Sequence, residues 1–249
     1  MTAQERLLAF ARETAYPYMM NLPFYTQYAD DISVLLVGSV ATGLCRETSD
    51  VDICLLCGET SYEDISKGTG WGTGQPTEVV IDGTQIHYYA VSFQKLKKRI
   101  LGYEDAAFYL YGNAVLFNDN SGFYSKIMEL IDDDNIKAIR KEKALDMLVR
   151  RNRALKQILK YEKDPILRIT VGLELIGHLL KMIALSDGVP FDKRKRFYTT
   201  ALVGDLGKQL KPRIGIMISS LGKIGNWEKS DISAQFMKAL DKCIGFIPI

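Results

Sequence analysis

Two short apolar runs in the first quarter of the chain predict neighbouring buried strands. Ile32–Val37 is a continuous run of mostly branched apolar residues, and Val51–Cys57 repeats that pattern. A hairpin is predicted next, because Asp82-Gly83 separates two further β-rich runs and Asp-Gly is a strong turn signal. The first half of the chain is therefore expected to build a small sheet.

Helical periodicity dominates the second half of the chain. Residues Ile136–Tyr161 and Ile166–Ser186 both carry apolar positions at helical spacing. We place a domain boundary at this change of pattern, which gives one domain over residues 1–132 and another over residues 133–249. The predicted fold class is α+β, with a small mixed sheet flanked by helices followed by a C-terminal helical bundle.

The remaining local predictions concern the connections around the sheet. The density of glycine over Lys67–Gly74 predicts a loop. Ser121 is predicted to cap a helix that extends through Leu130. The other segments are a first helix over Ala3–Tyr18, helices over Phe93–Leu101 and Asp105–Leu110, and a strand over Ala114–Phe117.

Composition narrows the class of protein. The net charge of +2, from 32 basic and 30 acidic residues, creates no global field that would attract a nucleic acid. Cys54 and Cys57 form a CxxC pair inside an apolar run, which favours buried thiols over a zinc or redox site. With no secretory pattern at its start and charged residues in its most apolar helix, the chain is expected to be cytoplasmic and outside the membrane.

Chemistry-bearing residues concentrate between the first two predicted strands. The first strand ends at Gly38-Ser39, and the second begins within Asp50-Val51-Asp52. Because side chains alternate along a strand, Asp50 and Asp52 share one face, where a cation such as Mg²⁺ would offset their repulsion. Gly38 allows a ligand to approach the backbone, and Ser39 with the following amides offers donors to a phosphate. The pattern predicts nucleotide chemistry.

This arrangement resembles the signature of the DNA polymerase β-type nucleotidyltransferase superfamily. The segment Asp119-Asn120-Ser121-Gly122-Phe123 and the helical second half look most like the bacterial antibiotic nucleotidyltransferases of the kanamycin and lincosamide type. The resemblance extends over residues 30–125 and is architectural beyond them.

The resemblance implies cofactors and site residues. In that superfamily two aspartates bind Mg²⁺, which bridges a nucleoside triphosphate, and a substrate hydroxyl attacks the α-phosphorus with loss of pyrophosphate. Asp50 and Asp52 would be the catalytic metal ligands, and Gly38 and Ser39 the phosphate contacts. Arg46 would add a cation near the triphosphate, which is expected to be ATP, although a solvated loop arginine explains this residue equally well. A homodimer with shared sites is compatible with the resemblance.

The sequence departs from the superfamily pattern at the third carboxylate. The corresponding position, on the strand after the hairpin turn, is His87. An imidazole can bind a transition metal or act as a base, but it is a poor ligand for Mg²⁺. His87 is therefore a substituted member of the catalytic set, a structural histidine, or a mark of lost activity. Glu78 is a weak substitute for the missing carboxylate, and Asp82 is better explained by the turn.

The general base of the kanamycin-type enzymes has no counterpart at the expected place. Spacing carries that position to Val149 and Arg150, neither of which is an ordinary base. Asp146 lies one turn earlier, and Glu174 lies in the next helix, where pairing with a basic residue explains it. The base is therefore unassigned.

Three functions agree with the sequence. The first is a magnesium-dependent enzyme that transfers a nucleoside monophosphate to a hydroxyl of a small molecule. If that molecule is an antibiotic, the protein would be a resistance enzyme. The second is a nucleotidyltransferase that acts on a protein or an RNA, although the near-neutral charge disfavours RNA. The third is a catalytically weakened member that binds nucleotide. For a cationic antibiotic, Glu59, Glu63 and Asp64 are candidates for an acidic pocket, or are ordinary surface charges.

Overall fold

The sheet of the first unit has five strands in the spatial order β3-β4-β2-β1-β5. Strands β2 and β4 are parallel, and the other neighbouring pairs are antiparallel. The sheet is therefore mixed, as predicted. Its strands are β1 (Ile32–Val37), β2 (Val51–Cys57), β3 (Thr77–Ile81), β4 (Thr84–Ser92) and β5 (Val115–Asp119).

The structure, a computed structural model, describes residues 1–69, 77–188, 201–221 and 230–247. It divides into two compact units, residues 1–136 and residues 137–249. The helices that begin in the first unit are α1 (Ala3–Phe10), a π-helical turn (Ala11–Ala15), α2 (Tyr16–Met20), α3 (Pro23–Tyr28), α4 (Gly38–Ala41), α5 (Glu59–Thr69), α6 (Phe93–Leu101), α7 (Asp105–Gly112), α8 (Phe123–Asp132) and α9 (Asp134–Tyr161). Those of the second unit are α10 (Pro165–Ser186), α11 (Asp205–Leu221) and α12 (Ser230–Ile244).

Helices cover both faces of the sheet. Val34 and Ile53 pack in the cluster that includes α1 and α2, whereas Cys54 and Leu56 pack in the cluster that includes α6, α7 and α8. Burial on both faces explains why the two central strands are continuous apolar runs rather than alternating ones. Because alternate residues of a strand share a face, Asp52 belongs to the same row as Cys54 and Leu56.

The second unit is a set of helices packed around α10. Its core includes Leu175, Leu179 and Ile183, all fully buried. The segment Ile166–Ser186 is long and apolar enough to cross a membrane by composition, but 61% of its most apolar window is buried inside the protein. His178 Nδ1 lies 2.8 Å from Asn152 Oδ1, so this histidine of α10 has a hydrogen-bond partner inside the second unit. These features are those of a core helix.

Several predicted elements differ from the structure. The first helix continues past Tyr18 to Met20 through the π-helical turn. A loop was expected from Lys67, but α5 extends to Thr69. The part of α5 that precedes Lys67 was not predicted from the sequence. Residues 70–74 of that expected loop lie outside the described residues.

The cap of α8 also differs from the prediction. Ser121 Oγ accepts from the N–H of Phe123, at 3.3 Å, but the stronger capping group is Asp119. Its carboxylate accepts from the N–H of Tyr124 at 3.0 Å and from the N–H of Ser125 at 2.9 Å. A carboxylate stabilises these unpaired amides better than a hydroxyl does, because the helix N-terminus carries a partial positive charge.

Candidate active site

One rung of the sheet carries the polar residues of the candidate site. Val37 on β1 pairs with Asp52 on β2, Asp52 pairs with His87 on β4, and His87 pairs with Glu78 on β3. Directly opposed residues of neighbouring strands place their side chains on the same face of a sheet. The register therefore aligns a carboxylate, an imidazole and a second carboxylate on one face. Asp50 lies just before β2.

The two aspartates and the histidine converge on a common space. His87 Nδ1 lies 2.8 Å from Asp50 Oδ2 and 3.6 Å from Asp52 Oδ1. One ligand atom from each of the three residues can be chosen so that all lie within 4.8 Å of one another. Each side chain is partly buried, with exposed fractions of 18% for His87, 28% for Asp50 and 27% for Asp52. The cluster is thus accessible to solvent, and its three side chains are held in place by partial burial.

The other ring nitrogen of His87 faces a second carboxylate. Nε2 is buried and lies 3.4 Å from Glu78 Oε1, although the N–H direction is not aligned for a hydrogen bond. Gln85 Nε2 donates to Glu78 Oε2 at 3.2 Å and so holds the carboxylate beside the ring. The ring of His87 therefore lies between the two aspartates on its Nδ1 side and Glu78 on its Nε2 side.

Gly38 begins the turn that borders the cluster. Its φ of +75° is in the left-handed region, and a Cβ at this position would lie 2.1 Å from Asp52 Oδ2. Only glycine fits here, because any side chain would displace the carboxylate. The hydroxyl of Thr42 donates to Gly38 O at 3.1 Å, and Leu44 N donates to Ser39 O at 2.9 Å, which fixes the turn. The Gly-Ser turn and the acidic pair therefore meet at one place.

Arg46 is exposed, and its backbone N–H donates to Ser49 Oγ at 2.9 Å. Among the described residues, no hydrogen bond or ion pair joins its guanidinium group to the Asp50, Asp52 and His87 cluster. The role of Arg46 beside the triphosphate therefore stays a prediction.

Two acidic residues of α5 have hydrogen-bond partners away from the Asp50, Asp52 and His87 cluster. Glu59 accepts a hydrogen bond from Ser92 at the end of β4, and Asp64 Oδ2 accepts from Tyr28 OH at 2.6 Å. These contacts lie beyond the C-terminal end of β2, whereas Asp52 lies near its start. At about 3.3 Å per residue, Asp52 lies roughly 17 Å from Cys57 at the far end of β2. An acidic pocket built from Glu59, Glu63 and Asp64 for a cationic acceptor stays a prediction.

The base candidates of the second unit are engaged in local contacts. Arg150 forms an ion pair with Asp146, with Nη2 2.7 Å from Oδ2. Glu174 is 48% exposed, and its Oε1 lies 3.7 Å from His178 Nε2. Both carboxylates thus have structural explanations within their own unit.

Cys54 and Cys57 are fully buried in β2. Burial raises the pKa of the Cys54 thiol to about 12, and burial also raises the pKa of Cys57. Reactive and metal-binding cysteines need the thiolate form, which these surroundings disfavour. The prediction of buried, unreactive thiols agrees with this geometry.

The donor set of the cluster fits a divalent cation. Two carboxylates supply hard oxygen ligands, which suit Mg²⁺ and Mn²⁺, and the imidazole suits transition metals. The chain also matches the sequence model for a nucleotidyltransferase domain over residues 24–172, which include every member of the cluster. That match extends over more than half of the chain.

The chain belongs to the nucleotidyltransferase domain family. Family membership accounts for the sheet, the Gly-Ser turn and the paired aspartates, and it implies a divalent metal and a nucleoside triphosphate. It does not distinguish the antibiotic-modifying enzymes from other nucleotidyltransferases.

Among solved structures, the chain is similar to a nucleotidyltransferase-like protein from Exiguobacterium sibiricum 255-15. The two share 12% sequence identity with a TM-score of 0.44, over 94% of this chain and 77% of the other. No curated protein shows a significant sequence match.

Proposed function

We propose that this nucleotidyltransferase moves a nucleoside monophosphate from a nucleoside triphosphate, preferably ATP, to a hydroxyl group of a small molecule. The observation that carries the proposal is the convergence of Asp50, Asp52 and the Gly38 turn on one space at the end of the sheet. A structural cluster would not need two partly exposed carboxylates packed against a glycine turn.

Each residue has a role that its position supports. Asp50 and Asp52 would hold a divalent cation, and His87 would complete the ligand set. Such a cation neutralises charge on the triphosphate and polarises the phosphorus. Gly38 leaves room for the Asp52 carboxylate beside the turn, and Ser39 would offer its hydroxyl as a donor to the phosphates.

The reaction forms one bond and breaks one. The acceptor oxygen bonds to the α-phosphorus, and the bond from that phosphorus to the β-phosphate oxygen breaks. Pyrophosphate leaves with the electron pair, and the hydroxyl proton passes to a base. Positioning and charge neutralisation supply most of the rate in such transfers, so the cluster can contribute without supplying the base.

The nature of the acceptor follows from charge and from the surroundings of the site. A net charge of +2 favours a small molecule over an RNA, since RNA-binding proteins usually concentrate basic residues. An antibiotic hydroxyl is one acceptor to test. Glu59 and Asp64 are hydrogen-bonded to Ser92 and Tyr28, so neutral acceptors are as good candidates as cationic ones.

A second function is favoured by one specific observation. His87 stands where the superfamily usually has a carboxylate, which would lower activity with Mg²⁺ while leaving nucleotide binding intact. In that case the protein would be a nucleotide-binding member whose output is a conformational or partner signal.

The test is a screen for pyrophosphate release. Purified protein is incubated with each nucleoside triphosphate, Mg²⁺ or Mn²⁺, and a panel of antibiotics, sugars and polyols. We expect release that depends on one acceptor and is lost in Asp52→Asn. The matched control is Asp82→Asn, which removes an exposed carboxylate at the hairpin turn, where asparagine tolerates the φ of 48°. Nucleotide binding without transfer would favour the second function, and absence of both would contradict the proposal.

A further inference from the structure

We propose that Asp50, Asp52 and His87 form a mixed oxygen and nitrogen site that selects a first-row transition-metal dication, such as Mn²⁺, over Mg²⁺. Glu78 acts as a positioning residue for His87 in this arrangement. The inference rests on the proposed function, because it assigns the kind of cation that the nucleotidyltransferase site would use.

The orientation of the imidazole is the first argument. Nδ1, not Nε2, faces the two aspartates, at 2.8 Å from Asp50 Oδ2 and 3.6 Å from Asp52 Oδ1. These separations are those expected of atoms that share one cation, because ligands at 2.0–2.2 Å from a metal lie about 3 Å from each other. A structural histidine needs no such convergence with two partly exposed carboxylates.

The second argument concerns the opposite nitrogen. A ligating histidine almost always directs its other ring N–H toward a carboxylate, a carbonyl or a water, which fixes its tautomer. Glu78 Oε1 lies 3.4 Å from the buried Nε2, and Gln85 holds the other oxygen of that carboxylate. With a cation between Nδ1 and the aspartates, the ring proton would lie on Nε2, on the side of Glu78.

The register of the sheet provides the third argument. Asp52, His87 and Glu78 are consecutive members of one rung across β2, β4 and β3. Backbone pairing therefore sets the separation of metal ligand, histidine and positioning carboxylate, and no loop movement is needed to assemble them. A site built on strands is also more rigid than one built on loops.

The chemical consequence is a change of metal preference. Mg²⁺ demands oxygen ligands and keeps its water shell, whereas Mn²⁺ and later first-row dications accept imidazole readily. Replacing the usual third carboxylate by His87 also lowers the negative charge of the ligand set by one. Both changes weaken the site for Mg²⁺ more than for Mn²⁺.

The decisive experiment measures Mn²⁺ bound to the full-length protein after removal of metals with a chelator. Electron paramagnetic resonance gives the Mn²⁺ affinity, and competition with Mg²⁺ gives the preference. Pulsed electron paramagnetic resonance detects ¹⁴N coupling from a bound imidazole. We expect ¹⁴N coupling in the wild type and an affinity for Mn²⁺ at least about tenfold higher than for Mg²⁺.

Two variants test the individual residues. His87→Asp should remove the ¹⁴N coupling and raise the relative affinity for Mg²⁺ by about tenfold or more, because it restores an oxygen ligand. Glu78→Ala should retain ¹⁴N coupling but weaken Mn²⁺ binding by about tenfold, the usual effect of losing such a positioning carboxylate. Glu78→Gln, whose amide oxygen still accepts from Nε2, should recover most of that loss.

The control variant is Val80→Ala. Val80 is 66% exposed and lies two residues from Glu78 on the same face of β3. It should leave Mn²⁺ affinity unchanged, with a thermal unfolding midpoint close to that of the Glu78 variants. The presence or absence of ¹⁴N coupling in the wild-type protein tests the inference even if a variant fails to fold.

The outcomes separate this inference from the proposed function. Bound Mn²⁺ without ¹⁴N coupling, or equal affinity for Mg²⁺ and Mn²⁺, would overturn the inference while nucleotidyl transfer could still be observed. No binding of either cation would overturn both. Wild-type coupling together with the expected reversal in His87→Asp would support it.

Discussion

The α-carbon of Gly38 faces the carboxylate of Asp52 so closely that a Cβ on it would lie 2.1 Å from Oδ2. This contact joins the end of β1 to the start of β2 and ties the Gly-Ser turn to the acidic pair. Backbone conformation and ligand position are thus fixed by one glycine. Replacing Gly38 should therefore disturb the metal site more than it destabilises the fold.

Gly38→Ala should therefore abolish metal-dependent nucleotide binding. Left-handed backbone costs an alanine about 1–2 kcal/mol, and the added methyl group must also push Asp52 aside. The free energy of unfolding from denaturant titration and nucleotide affinity from calorimetry measure the two effects separately.

Gly83→Ala is the matched control for that variant. Gly83 also has a positive φ, of +74°, but a Cβ there would meet nothing within 4 Å. It should lose a similar amount of stability and retain nucleotide binding. Equal binding loss in both variants would show that strain alone, rather than the contact with Asp52, matters at Gly38.

The sequence predicted the elements of the site but not their full alignment. Local periodicity identified β1 and β2, and the Asp-Gly pair identified the hairpin, because each signal lies within a few consecutive residues. The rung that joins Asp52, His87 and Glu78 depends on the parallel pairing of β2 with β4. Such long-range pairing is not encoded in any local pattern, so Glu78 was treated only as a weak substitute ligand.

The missed helix and the misplaced cap have separate physical causes. Helix α5 begins with Glu59-Thr60-Ser61-Tyr62, which contains weak helix formers. It is held instead by tertiary packing, with Ile65 and Ser61 buried. Asp119 was not predicted as the cap of α8 because its carboxylate reaches forward from the end of β5 to the amides of two later residues.

Asp119→Asn should destabilise the protein by about 1–2 kcal/mol near pH 7. Burial opposes ionisation of Asp119, but hydrogen bonds from Ser125, Ser33 and Tyr124 outweigh it and hold its pKa below the usual 3.8. A lowered folded pKa means that this contribution is fully present above pH 3.8 and is lost as pH falls through the folded value. Urea titrations of both proteins across that range measure the difference.

The pH dependence is the part of this prediction that a neutral hydrogen bond would not show. The gap in stability between wild type and Asp119→Asn should narrow as the solution is acidified below pH 3.8. Asp82→Asn, at an exposed turn, should show a much smaller gap. A gap that stays constant through this range would contradict the role of the charged carboxylate.

The thiols of Cys54 and Cys57 should resist modification in the folded protein. Both are fully buried, and burial raises the pKa of each, to about 12 for Cys54. Iodoacetamide near pH 8 should modify the partly exposed Cys45 first, and the pair should react only after unfolding. Peptide mass spectrometry gives the order of reaction. Rapid labelling of the pair, or stoichiometric zinc lost with it, would contradict the buried-thiol interpretation.

The account rests most directly on metal-dependent nucleotide binding by the acidic pair, and calorimetry measures it. Wild-type protein and Asp82→Asn are predicted to bind ATP, or another nucleoside triphosphate, with a divalent cation, and to lose this binding in excess chelator. Asp50→Asn should reduce the metal-dependent affinity by about tenfold or more, because the site loses a charged ligand. Equal triphosphate affinity in Asp50→Asn and wild type, or in chelator and divalent cation, would contradict the central claim.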